Sequence, residues 1–346
     1  MNKKQMTGVI MILVLVLTFC VQNTLMFFNC GRTKVTSPHV PQVLSGFELM
    51  WSRDNVYIRI SQEAVNLVAG SGKLVMFGTE NWCGSDGLVS FSALDGEIIT
   101  ESVSGLALPT YNDIRHVAYN SSYIYLGYDG RRPNPSGVAA YEIQTNTIAW
   151  IQPIPGGPIG SLVTDETVIG VGTILLNAYN GEIVGNRNQD GVEAPVNSVG
   201  NLAFWYAAVN SQASLSALEF WDDITPEINQ PPLLLDNSIV LRTGHGTTLG
   251  RVRVFDRQTN GLLWETDQNV ISNVAVANNR AYFLTGLAEL VAMDVWTGSV
   301  VGRVTFAPVN IVADEYGFYV AASENNVFVY FGDSQQLFAF RFSADE

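Results

Sequence analysis

A chain of 346 residues with 47% hydrophobic and only 14% charged residues has ample material for a large core, which excludes disorder over most of its length. The formal charge is −14, and four of the 18 basic residues, Lys3, Lys4, Arg32 and Lys34, precede the first acid, Glu48. The body beyond them therefore carries 14 basic against 32 acidic residues, −18 net, a surface that repels phosphate backbones and makes nucleic acid a poor partner.

Lys3 and Lys4 are followed by an apolar segment, residues 9–28, in which Ile10-Met-Ile-Leu-Val-Leu-Val-Leu17 runs without a charge. About 20 apolar residues are needed to cross a bilayer as a helix. The two lysines on its N-terminal side predict that this end stays in the cytoplasm while the rest is exported to the periplasm or the cell surface. Phe27, Phe28 and Asn29 crowd the place where a cleavage site needs small residues, so an uncleaved signal anchor is preferred, and a cleaved signal peptide is the alternative. Cys20 and Cys30 lack the small residues of a lipoprotein signal before them. Cys83 is the sole thiol of the exported body, so no intradomain disulfide framework is available. The expected organisation is a signal segment over 1–30, a linker over 31–45 marked by Pro38 and Pro41, and one domain over 46–346.

Within that domain, short runs of β-branched and aromatic residues alternate with Gly, Asn and Asp turns, the pattern of an all-β protein. The runs recur in a fixed order about every forty residues. One unit reads Arg280-Ala-Tyr-Phe-Leu-Thr-Gly286, Glu289-Leu-Val-Ala-Met-Asp294, then Thr297-Gly298 and a closing strand. The unit before it reads Ile239-Val-Leu-Arg-Thr-Gly244, Arg251-Val-Arg-Val-Phe-Asp256, Thr259-Asn-Gly261 and Leu262-Leu-Trp-Glu265. Four strands in such a period predict a propeller blade. Further units lie around 74–96, 123–150 and 168–181. A weak one carries Leu202-Ala-Phe-Trp-Tyr206 and Leu215 to Trp221. The last, 327–341, lacks its fourth strand. Ser45-Gly-Phe-Glu-Leu-Met-Trp51 matches Asn260-Gly-Leu-Leu-Trp264 and has no strands before it, so it is expected to complete that last blade and remove an exposed sheet edge. The count is then seven blades, with six and eight left open by the irregular fourth unit and by the threading of 311–320.

The consensus of a hydrophobic strand with Gly, a strand ending in Asp, Thr-Gly and a Leu-Trp strand resembles the PQQ-like repeat family, over roughly residues 46–342. That family includes quinoprotein dehydrogenases and the BamB-type scaffold of outer-membrane protein assembly. Trp51, Trp150 and Trp264 occupy equivalent outer-strand positions, where the resemblance implies packing of one blade on the next rather than ligand stacking. The dehydrogenases carry a vicinal cysteine pair against their cofactor. This chain has no adjacent cysteines, so the resemblance implies neither the quinone nor its activity, and no cofactor is expected.

Catalytic chemistry finds little support. The three histidines, His39, His116 and His245, have no zinc-ligand spacing, and no G-x-S-x-G elbow is present. Asn186-Arg-Asn-Gln-Asp190-Gly191 imitates the opening of a calcium loop but has Asn197 at the twelfth position, and Asp222-Asp223 reads as a solvated pair. The loops between second and third strands emerge on one propeller face, and three are long: 79–86, 128–135 and 243–248. Trp82, Arg131, Arg132 and His245 on them are the candidate partner-binding residues. The expectation is a monomeric, non-enzymatic scaffold for a protein or peptide partner, held to the membrane by its N-terminal helix. The alternative is a small-ligand or polysaccharide binder, or an enzyme, using the central channel. Asp113, Arg115 and His116, near the entrance of blade two, are the cluster whose replacement would test it first.

Overall fold

The computed structural model describes residues 38–54, 56, 65–78, 87–102, 112–130, 135–154, 162–164, 167–171, 174–186, 233–243, 250–259, 261–307, 317–332 and 334–343. Two strands come first, β1 (Val40–Ser45) and β2 (Phe47–Arg53). Blade I follows with β3 (Val65–Gly70), β4 (Lys73–Gly78), β5 (Gly87–Ser92) and β6 (Ile98–Ser102). Blade II holds β7 (Asn112–Tyr119), β8 (Tyr123–Gly130), β9 (Gly137–Glu142) and β10 (Thr147–Pro153), and blade III holds β11 (Leu162–Thr164), β12 (Val168–Val171), β13 (Ile174–Asn177) and β14 (Ile183–Asn186). Blade IV has β15 (Leu233–Leu234), β16 (Ser238–Thr243), β17 (Arg251–Asp256) and β18 (Leu262–Glu265), and blade V has β19 (Ala275–Ala277), β20 (Arg280–Leu284), β21 (Glu289–Asp294) and β22 (Val300–Ala307). Blade VI is β23 (Phe318–Ser323), β24 (Asn326–Phe331) and β25 (Gln336–Phe342), completed by β2. All strand pairs are antiparallel, and within each blade the neighbours are consecutive strands of the chain except where β1 joins β22 and β2 joins β25.

Among the described residues there are six sheets, which corrects the expected count of seven. Each unit read from the repeat has its sheet except the one placed at 202–206 and 215–221, which lies outside the described residues. That unit is also the one whose later half, 215–232, contains no glycine to close a turn and is interrupted by Pro226, Pro231 and Pro232. The apolar segment 9–28 lies outside the described residues as well. Among the described residues, no helix is long and apolar enough to cross a membrane.

The expected completion of the last blade is present: β2 pairs with β25, Phe47 opposite Phe342 and Arg53 opposite Leu337. Within the stretch expected as linker, however, 40–45 is strand β1, the fifth strand of blade V, paired with β22 from Val40 opposite Ala307 to Ser45 opposite Arg303. The N-terminal chain therefore does not enter at the closing strand. It first crosses the neighbouring blade, then turns at Gly46, where φ is +66° and a Cβ would lie 2.6 Å from the Val301 carbonyl oxygen.

Sandwiching between neighbours explains the near-continuous apolar strands. Successive side chains of a strand point to opposite faces. On β24, Val327, Val329 and Phe331 pack toward blade V while Phe328 and Tyr330 pack toward blade I. On β20, Tyr282 and Leu284 face blade VI and Ala281 and Phe283 face blade IV. Both faces of the sheet are core, so period-two alternation of polar and apolar residues disappears. Apolar layers of this kind join IV to V, V to VI, VI to I, I to II and II to III.

The fourth strands share one device. Each is bulged against the third strand, in the register between Ile98 and Thr100, Ile148 and Trp150, Ile183 and Gly185, Leu262 and Trp264, Val300 and Gly302, and Leu49 and Trp51. A bulge places two consecutive residues against one and re-aims the side chains that follow. It leaves Ile98 with Ile99, Ile183 with Val184, and Val300 with Val301 exposed as pairs, and turns the next residue onto the following blade. In three blades that residue is the tryptophan whose packing role the repeat predicts. Trp51 lies on Gly96, Trp150 on Gly181 and Trp264 on Gly298, each glycine having φ near +70° and room for no Cβ beyond 2.6–2.8 Å of the indole.

Candidate functional site

The two propeller faces differ in how the chain crosses them. On one, which we call the turn face, strands one and two are joined by tight turns. Ser71 and Gly72 have φ of 49° and 71°, and Asn278 and Asn279 have 48° and 57°, the left-handed pair of a type I′ hairpin. The third-to-fourth turns lie on the same face and are closed by the residue ending the third strand. The Asp294 carboxylate accepts from the N–H groups of Trp296 and Thr297 and from the Thr297 hydroxyl, at 2.8–3.0 Å. Asp256 does the same with Gln258 and Thr259. Thr259 lowers the Asp256 pKa through its backbone N–H first and its hydroxyl second. At Asp294, partial burial pushes upward, but the donors from Thr297 and Trp296 outweigh it and hold the carboxyl below the usual range. In blade III the same place is taken by Asn177, which accepts from the N–H of Tyr179 at 2.9 Å.

The opposite face, the loop face, receives the second-to-third connections. Those of blades I, II and IV leave strands that end at Gly78 and return at Gly87, end at Gly130 and return at Gly137, and end at Thr243 and return at Arg251. Trp82, Arg131, Arg132 and His245 belong to these connections, and all four lie outside the described residues. The backbone of Asp113, Arg115 and His116 is in β7 at its loop-face end, where a bulge at Arg115 separates the pairs Ile114–Tyr128 and His116–Gly127.

The described part of the loop face shows a cluster that the repeat pattern does not signal. Arg242, near the end of β16, donates from Nη2 to the Val270 carbonyl oxygen at 3.1 Å. Burial lowers its pKa to about 10. Asn269 accepts the N–H of Gly250 on its Oδ1 at 2.9 Å and the N–H of Gly286 on its carbonyl at 2.8 Å, tying the blade IV loop to the short blade V turn. The Val270 N–H donates to the Gly250 carbonyl at 2.7 Å, and a Cβ at Gly250 would collide with the Val270 carbonyl. Leu287 crowns that turn at 64% exposure. A partly desolvated arginine, a hydrogen-bonded backbone shelf and an exposed leucine thus lie together on this face.

His39, read as a linker residue, is instead buried at the loop-face end of blade VI. Its ring packs on Phe331 with centroids 4.3 Å apart, and its backbone N–H donates to Gln336 Oε1 at 2.6 Å. Gln336 Nε2 donates in turn to Asp54 Oδ1 at 2.8 Å. Among the described residues, no group of three or more His, Cys, Asp or Glu side chains is placed to hold a metal ion.

No family model matches the chain, and no curated protein matches it. Solved structures do. A chain of the mitotic checkpoint complex aligns with a TM-score of 0.50 at 10% identity, covering 86% of this chain and 96% of that one. BamB from Moraxella catarrhalis aligns at 0.40 and 10% identity, covering 87% and 99% respectively. The computationally designed Ika8 protein aligns at 0.33 and 12% identity, covering 82% and 72%. At these identities the likeness is one of fold, and the fold is the β-propeller that the chain's own sheets display.

Proposed function

We propose that this chain is an extracytoplasmic, membrane-held propeller of the PQQ-like repeat type that acts as a non-enzymatic scaffold, binding a protein or peptide through its loop face. The observation that carries the reading is the asymmetry between the faces. One is closed by short turns whose side chains are spent on their own backbone, while three blades send long connections from the other. Loop elaboration on a rigid frame is where binding residues accumulate. Trp82, Arg131 and Arg132 bring the aromatic and guanidinium groups enriched in interface hot spots, and Arg242 and Leu287 belong to the same face. A body charge of −18 disfavours nucleic acid as the partner.

The test is affinity capture from solubilised membranes with the full chain and with the double variant Arg131→Ala, Arg132→Ala. A partner held by the parent and lost by at least tenfold from the variant supports the reading. A partner set identical for both chains rejects the loop face as its seat.

A further inference from the structure

Strand β1 reverses the side of the propeller from which the N-terminal chain departs. β22 follows the turn at Thr297-Gly298 and ends at Ala307 on the loop face, and β2, in the same position of blade VI, runs the same way. A chain joining β2 at Gly46 would therefore arrive from the turn face. β1 instead carries it back across the sheet, with Ser45 beside Arg303 and Val40 beside Ala307. Six residues of strand move the point of departure by about 20 Å. The departure point is also pinned: His39 is buried on Phe331, and Gln336 binds both the His39 N–H and the Asp54 carboxylate, joining the residue before β1 to the residue after β2.

We infer that the loop face is the membrane-proximal face, held toward the bilayer by β1, and that the protein partner it takes presents its contact surface at the membrane. The inference rests on the anchor reading proposed above. Between the apolar segment and His39 lie ten residues, 29–38, which span at most about 35 Å when extended. A tether that short, leaving from an ordered strand on the loop face, keeps that face beside the bilayer and turns the opposite face outward. The net charge of −18 beyond Lys34 opposes close adhesion of the body to anionic headgroups.

Energy transfer tests it. The full chain carrying Cys20→Ser, Cys30→Ser and Cys83→Ser is reconstituted in phosphatidylcholine vesicles containing a headgroup-labelled acceptor lipid. A donor is attached at Leu287→Cys on the loop face or at Trp296→Cys on the turn face of the same blade, both exposed. Transfer at least twofold more efficient from position 287 supports the inference. Equal transfer, or more from position 296, in protein that floats with the vesicles overturns it and leaves the anchor standing. Protein that fails to float with the vesicles overturns the anchor reading and the inference with it. Replacing 40–45 by a Gly-Ser segment of equal length is expected to bring the ratio toward one, and an unchanged ratio overturns β1 as the cause.

Discussion

Blades IV and V meet through the same repeat positions as blades II and III, yet the two junctions are closed differently. In both, an indole lies flat against the left-handed glycine of the next blade, Trp264 on Gly298 and Trp150 on Gly181. Trp264 Nε1 donates to the Val295 carbonyl at 2.7 Å, as Trp51 does to Ala93 at 3.1 Å. The corresponding acceptor in blade III, the Ala178 carbonyl, is taken at 3.2 Å by the Tyr125 hydroxyl, and Trp150 Nε1 is buried with no partner among the described residues. One residue of the second strand distinguishes the junctions. Where β8 has Tyr125, β16 has Val240 and β24 has Phe328, neither of which carries a hydroxyl to compete. Repeat equivalence thus fixes which surfaces meet, while the neighbouring side chain decides which polar group is satisfied.

The largest effect that breaks this comparison is expected from removing the shared element. Trp264→Ala and Trp150→Ala each leave a cavity between blades and are expected to cost about 3–5 kcal/mol in urea unfolding of the full chain in detergent. Next in size, Gly298→Ala and Gly181→Ala force a Cβ into the indole at a left-handed φ. A loss of about 2–4 kcal/mol is expected at both sites, and a stable Gly181→Ala variant would show that the II–III junction can open where IV–V cannot.

Conservative changes sharpen the comparison. Trp264→Phe orphans the Val295 carbonyl and is expected to be more costly than Trp150→Phe by about 1 kcal/mol, measured by thermal unfolding. Tyr125→Phe frees the Ala178 carbonyl for Trp150 Nε1. The change also removes the acceptor of buried Asn120 Nδ2, which donates to the Tyr125 hydroxyl at 2.8 Å, so a cost of about 1–2 kcal/mol is expected, and a double-mutant cycle with Trp150→Phe should show coupling, because the second change removes the replacement donor.

The smallest effect separates the junctions by pH. Asp256, Asp294 and Glu265 all have lowered pKa values. For Glu265, burial pushes upward and is outweighed by the hydrogen bonds from Arg253, at 2.5 Å, and Arg251. A carboxylate depressed on folding stabilises the fold above its unfolded value and loses that contribution as pH falls through the folded one. The window is therefore below pH about 4, and it weakens the turns of blades IV and V together with that of blade I, where the backbone N–H of Glu97 lowers the Asp95 carboxyl in the same way. Asn177 closes the blade III turn without a titrating group. Amide exchange compared at pH 6 and pH 3 should lose protection at Trp296 and Thr297 and keep it at Tyr179, after correction for intrinsic rates. Equal loss at both turns would assign acid sensitivity to the propeller as a whole.

What the chain's order of residues determined by itself is local and repeated. Strand runs such as Asn326-Val-Phe-Val-Tyr-Phe331, turn residues such as Asn278-Asn279 and Asp294 with Gly298, and the matching Gly46…Trp51 and Gly261…Trp264 segments were legible, because each rests on side-chain periodicity or on a backbone conformation that few residues adopt. The blade count was not: the seventh unit was counted from the strand-like composition of segment 202–221, which lies outside the described residues, and composition alone does not count sheets. The candidate site was legible only as loop length. Asn269, Arg242 and Gln336 act through backbone groups brought near by packing, some of them from distant parts of the chain, and no spacing announces such contacts. β1 is the clearest case. Val40-Pro-Gln-Val-Leu-Ser45 reads as a linker, and its partner β22 lies some 260 residues away, so only the tertiary structure could decide that it is a strand and, through it, on which face the chain departs. Pairing is a property of two edges meeting, and a single sequence displays one of them at a time.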